Sequence, residues 1–162
     1  MKLLSTVLHS STLVGLSVAA AATTTPPKPS LMIQRVVTAT VNGQTTERLE
    51  AVNSTRPGDL LQASSVLTLS GKEKGARFTL PVPANTTYVP GSVRASKGVR
   101  VTYALSLSGP FSVTPMKSVT VQEGGKTVTK QVPASQNEYR AVRYDLTGLS
   151  GTLTVGHRIR VN

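Results

Sequence analysis

Apolar and polar positions alternate with a period of two along most of this chain, the signature of half-buried β-strands. Val99, Val101, Tyr103, Leu105 and Leu107 alternate without error against Arg100, Thr102, Ala104, Ser106 and Ser108. Leu153, Val155, His157, Ile159 and Val161 repeat the pattern at the end of the chain. Leu61, Ala63, Leu67 and Leu69 share one side of a strand expected over Leu60–Ser70, and Phe78, Leu80 and Val82 share a parity in Ala76–Val82. Two hairpins are also expected. Leu31–Val41 turns at Asn42-Gly43, a strong two-residue hairpin signal, and returns over Gln44–Val52, with Ile33, Val37, Ala39 and Val41 on one face. Ser118–Gln122 turns at Glu123-Gly124-Gly125-Lys126 and returns over Thr127–Val132. Glu47, Arg48 and Glu50 mark the first return arm as exposed or an edge.

The most distinctive stretch is Arg77–Ser92, RFTLPVPANTTYVPGS. Pro81 and Pro83 remove two ladder donors, so the segment must be a sheet edge or a strand leaving its sheet. Asn85-Thr86-Thr87 and Pro90-Gly91-Ser92 are turn chemistry around a Tyr88-Val89 apolar anchor. This reads as a crossover between two sheets. Ser135-x-x-Glu138 matches a capping box, but Tyr139–Leu146 fits a strand at least as well as a helix, so the match reads as chance. No convincing helix follows Ser30. About seven to nine short strands separated by Gly, Pro and Asn turns predict an all-β, Greek-key or immunoglobulin-like β-sandwich.

Composition narrows the picture. Only 4% of residues are aromatic, so the core must be built from thin layers of Val, Leu, Ile and Ala. There is no cysteine, which removes disulfides, thiolate metal sites, cysteine nucleophiles and lipobox anchoring. Met1–Ala22 pairs a basic start with an apolar middle and a small-residue end, and reads as a secretory signal peptide. Residues 23–30, with three prolines in four positions, read as an extended, mobile leader, and 31–162 as a single sandwich domain. The formal net charge is +11, one less without Lys2. A basic exported protein associates with anionic polymers, acidic proteins or lipid headgroups.

Arg56-Pro-Gly-Asp59-Leu60 before an alternating strand, and LPVPANTTYVPGS at Leu80–Ser92, resemble the "PGD … LP.gt.YvpGS" pattern of a bacterial conserved-repeat domain of surface and envelope proteins. Glu138–Leu149 and the tail Arg158–Asn162 resemble its closing strands, so the likeness covers Leu31–Asn162. Gly71–Gly75 stands where that pattern has an Asn-Thr-Gly turn, and Thr79 where an acid often precedes Leu-Pro. The resemblance implies an exported β-sandwich module in a single copy, with no catalytic residues to carry over.

Catalytic chemistry finds little purchase. Apart from His9, in the signal segment, His157 is the lone imidazole, and its parity with Leu153 and Ile159 makes it core-facing. A Ser-His-Asp triad would need it beside Asp59 or Asp145, and there is no Gly-x-Ser-x-Gly elbow. Glu47 and Glu50 have opposite strand parity and form no carboxylate pair. No acid spacing suits calcium, and one histidine cannot build a zinc or copper site, so no cofactor is expected. The sequons at Asn53 and Asn85 read as chance matches in a Ser/Thr-rich chain. Nucleic acid is not an expected partner, because the six aromatics do not interleave with basic residues.

The reading that remains is a non-enzymatic, exported structural or accessory protein of the periplasm or cell surface. It would bind an envelope or surface-layer complex, or an anionic cell-wall or outer-membrane polymer, and would form homo- or hetero-oligomers. Arg158 and Arg160 share an outward parity and Arg100 points outward on its own strand; these three are the candidate partner-binding residues. Alternatives are a pilin-like or adhesin subunit that donates its first strand, and a small binding module for anionic glycan or lipid.

Overall fold

The structure is a computed structural model that describes residues 29–162. The expected signal peptide and most of the expected leader lie outside these residues. Eleven strands and one 3₁₀ turn follow in order: β1 (Ser30–Val41), β2 (Gln44–Ala51), β3 (Leu60–Ser70), β4 (Arg77–Pro81), β5 (Thr86–Tyr88), β6 (Arg94–Ala95), β7 (Arg100–Ala104), β8 (Met116–Glu123), β9 (Lys126–Pro133), the turn Gln136–Glu138, β10 (Ala141–Asp145) and β11 (Ser150–Val161). The protein is all-β. A larger sheet has the order β2-β1-β3-β11-β5, with β6 also paired to β11. A smaller one has the order β4-β10-β7, and β8-β9 forms a separate two-stranded arm.

The two sheets meet on a shared core. Leu61, Leu67, Leu153, Val155 and Ile159 of the larger sheet pack with Leu80, Val142 and Tyr144 of the smaller. For Leu61, Leu67, Leu80, Leu153, Val155 and Ile159 these are the parities that the alternation predicts. Each buried Leu or Ile side chain contributes roughly 1.5–3 kcal/mol over leaving it exposed, so the shared face specifies register strongly. Tyrosines fill the space between them: Tyr103 stacks on Tyr139 at 4.8 Å, and Tyr88 lies 5.8 Å from Tyr103 and 5.7 Å from Tyr139.

Arg77–Ser92 crosses from one sheet to the other. β4 is an outer strand of the smaller sheet, and β5 pairs with β11 in the larger. The Val82 N–H donates to Arg140 O at 2.8 Å, so even-numbered residues here bond to the β10 side. Pro81 therefore sits where its missing N–H would point away from the sheet, the position in which a proline costs no ladder bond. The Ser92 hydroxyl then accepts the Arg158 N–H at 2.9 Å and fastens the Pro90-Gly91 turn to β11. Thr86–Tyr88, expected as turn and anchor, closes this crossover as a short strand. In the Pro57-Gly58 turn, the Asp59 carboxylate accepts the Arg56 N–H at 2.8 Å and pairs with Arg35 at 3.1 Å.

Three local expectations are corrected. The first hairpin forms, with Asn42 and Gly43 both at positive φ (52° and 75°) as a type I′ turn requires. However, Ile33 and Val41 stay 39% and 62% exposed, because the three-stranded sheet is too narrow to cover β1. Val36, on the opposite face, is the buried residue. The strand expected through Leu107 stops at Ala104: its partner β10 begins at Ala141, opposite Ala104. The chain then turns, with Gly109 N–H donating to Ser106 O. The Ser135/Glu138 pair is not chance, since the Ser135 N–H donates to the Glu138 carboxylate at 3.2 Å and caps the 3₁₀ turn. β1 is hydrogen-bonded to β2 on one side and β3 on the other.

Candidate functional site

Strand β10 positions the site. Its register sets Asp145 opposite Arg77 of β4 and Arg100 of β7, and Arg143 opposite Thr79 and Thr102. Val142 and Tyr144 of the same strand are fully buried, so Arg143 and Asp145 lie on the outward face of the smaller sheet. Three guanidiniums thus share a face with one carboxylate. Arg143 is held by the Phe111 ring, whose centroid lies 3.4 Å from Cζ, and its Nε reaches Thr79 Oγ1 at 3.5 Å. This is a cation–π contact.

At one end of this face, Arg77, Arg100, Asp145, Thr147, Gly75 and Gly98 line a cleft of about 450 Å³. A side chain at Gly75 would extend into open space, and both glycines are at positive φ (65° and 90°), so the loop backbone is bare at the rim. Lys74 and Lys97 directly precede these glycines and are exposed. Thr147, through its side chain and backbone N–H, holds the Asp145 carboxyl below its ordinary range, with Arg77 and Arg100 adding attraction. Asp145 Oδ1 accepts the Thr147 N–H at 3.0 Å. Neither guanidinium comes within 4.0 Å of the Asp145 carboxylate. The nearby acid Glu73 is engaged in its own loop: it accepts the Ser70 N–H and hydroxyl and the Gly71 N–H, which lower its pKa to about 2.

The three candidate partner-binding arginines do not lie together, because β7 and β11 belong to different sheets. Arg100 lies in the cleft. Arg158 forks onto Glu47, with Nη1 at 2.9 Å, and donates through Nε to Gln62 Oε1 at 3.3 Å. Because Glu47 lies on β2, with β1 and β3 between it and β11, the first hairpin must arch over the outer face to reach it. Arg160 donates to Gly58 O at 3.1 Å. Sequence reasoning misses Arg77, Arg143 and Asp145 as members of one face. Their parity is readable in Arg140–Asp145, but the pairing of β10 with both β4 and β7 is long-range.

His157 is fully buried in the core, as its parity predicts. Its Nδ1 meets the Tyr144 hydroxyl at 3.3 Å, and burial pushes its pKa down to about 4. The imidazole is therefore neutral at physiological pH. Its Nε2 and the Ser65 hydroxyl are buried without a hydrogen-bond partner among the described residues. No group of three or more His, Asp or Glu among the described residues could hold a metal ion. No described helix is long and apolar enough to cross a membrane.

No family model, curated protein or solved structure matches this chain.

Proposed function

We propose that this protein is a non-catalytic, exported β-sandwich that serves as a structural or accessory component of a bacterial cell envelope. In this reading it holds an anionic envelope polymer against the outer face of its three-stranded sheet. The observation that carries the proposal is the convergence of Arg77, Arg100 and Arg143 on one face whose sole carboxylate, Asp145, pairs with none of them. Guanidiniums outside any ion pair and spaced along a rigid sheet suit repeated anionic groups, because a guanidinium can fork onto a carboxylate or phosphate.

The face is favoured over the sheet edges. The outermost strand β2 carries Glu47, Arg48 and Glu50, and β4 ends in Pro81; both devices blunt strand addition. Export rests on the Met1–Ala22 pattern, and the envelope setting on export, basicity and the resemblance carried by Arg56–Leu60 and Leu80–Ser92.

The test is retention on an immobilised anionic cell-wall polymer at about 150 mM salt, where charges beyond about 8 Å are screened. The wild-type chain should be retained, and a combined Arg77→Gln, Arg100→Gln, Arg143→Gln variant should elute early. Equal elution of the two proteins rejects the proposed face.

A further inference from the structure

We propose that the Arg77–Asp145–Arg100 cleft reads an acidic saccharide, with the arginines taking its anionic group and Asp145 accepting a neighbouring sugar hydroxyl. The inference rests on the polymer-binding reading above and names its ligand class. A cleft built only to attract phosphate or sulfate would gain nothing from a carboxylate at its centre, where like charge repels the ligand. Asp145 nevertheless occupies the middle strand, flanked by both arginines. No ion pair occupies it, since neither guanidinium reaches it within 4.0 Å.

An ionised carboxylate is purely an acceptor, with about four lone-pair sites. The Thr147 N–H takes one of these at 3.0 Å, and the Thr147 side chain engages the same carboxylate. The natural partner for the others is a ligand bearing hydroxyl donors as well as negative charge, and sugar acids combine the two on one ring. The cleft volume of about 450 Å³ lies within the range of small-molecule sites, roughly 300–1,000 Å³. At Gly75 the rim has open space where a side chain would stand, so no side chain closes the mouth there.

Asp145→Asn, made in the full chain, decides the matter by the sign of its effect. Asparagine keeps an oxygen for the Thr147 N–H, and thermal unfolding checks that the fold is retained. Binding of tetragalacturonate and of a polyphosphate of matched charge is measured by calorimetry at one salt concentration. The variant should bind tetragalacturonate about fivefold more weakly or worse, the value of one lost hydrogen bond. It should bind polyphosphate more tightly, because a repelling charge is gone. Equal strengthening of both ligands, or no change in either, overturns the saccharide assignment while leaving a cationic cleft. Wild-type protein that binds neither ligand overturns the polymer-binding reading itself.

Discussion

The buried histidine allows a quantitative prediction. His157 is fully buried on β11, with the Tyr144 hydroxyl on Nδ1 and the Tyr88 ring centroid 5.7 Å away. The unfolded chain protonates this residue near its ordinary value of 6.5, whereas the folded chain refuses the proton until about pH 4. Between those values the unfolded state binds more protons, so stability falls as the pH drops. The contribution is fully present above pH 6.5, declines between 6.5 and 4, and has levelled off below 4. Each pH unit inside the window costs about 1.4 kcal/mol, or about 3 kcal/mol across it. The carboxylates act lower. Glu47, Glu73, Glu138 and Asp145 all have depressed values, so their stabilisation is present above the ordinary carboxylate value and is lost as the pH falls from there through their lowered values. Urea unfolding at pH 7.5, 6.5, 5.5 and 4.5 should therefore show a steep loss in the wild-type protein. The same series in His157→Phe should be nearly flat, whatever its absolute stability. The imidazole proton shifts of folded protein provide a second reading. His9 is the other histidine in the chain, so the His157 signal is the one that vanishes in the variant. A His157 signal that titrates near pH 6.5 in the folded state, or parallel pH profiles for the two proteins, would refute the argument.

Other substitutions test the packing. Leu80→Ala removes a core side chain that is 2% exposed and should cost about 2–5 kcal/mol. Ile33→Ala, on the uncovered part of β1, should stay well under that in the same urea assay. Gly156→Ala would place a Cβ 2.6 Å from the Ala63 carbonyl oxygen, so β3 and β11 must part locally. An overpacking loss of about 1–3 kcal/mol should appear as a lowered unfolding midpoint. Tyr144→Phe removes the partner of His157 Nδ1. A buried unpaired polar atom costs about 1–3 kcal/mol, again read from urea midpoints, and the variant should unfold earlier than wild type at pH 7.5.

Local sequence determined much of this protein. Period-two alternation placed Leu61, Leu153, Val155, His157 and Ile159 on the core side, since a strand has only two faces to offer. Asn42-Gly43 set a hairpin because both residues tolerate positive φ. Pro81 and Pro83 marked a strand that leaves its sheet, because a proline has no N–H to give a central ladder. In each case the controlling physics lies within a few residues. Tertiary structure decided what depends on distant neighbours. Whether Ile33 is covered depends on the width of the opposing sheet, and where β7 stops depends on where β10 begins. The candidate site belongs to this second kind. Arg77, Arg100 and Asp145 come from three separate strands, and only the pairing of β10 with both β4 and β7 makes them neighbours. Arg158 shows the converse. Its outward parity was legible, but its capture by Glu47 required the first hairpin to arch across the sheet, a long-range event that no local pattern encodes.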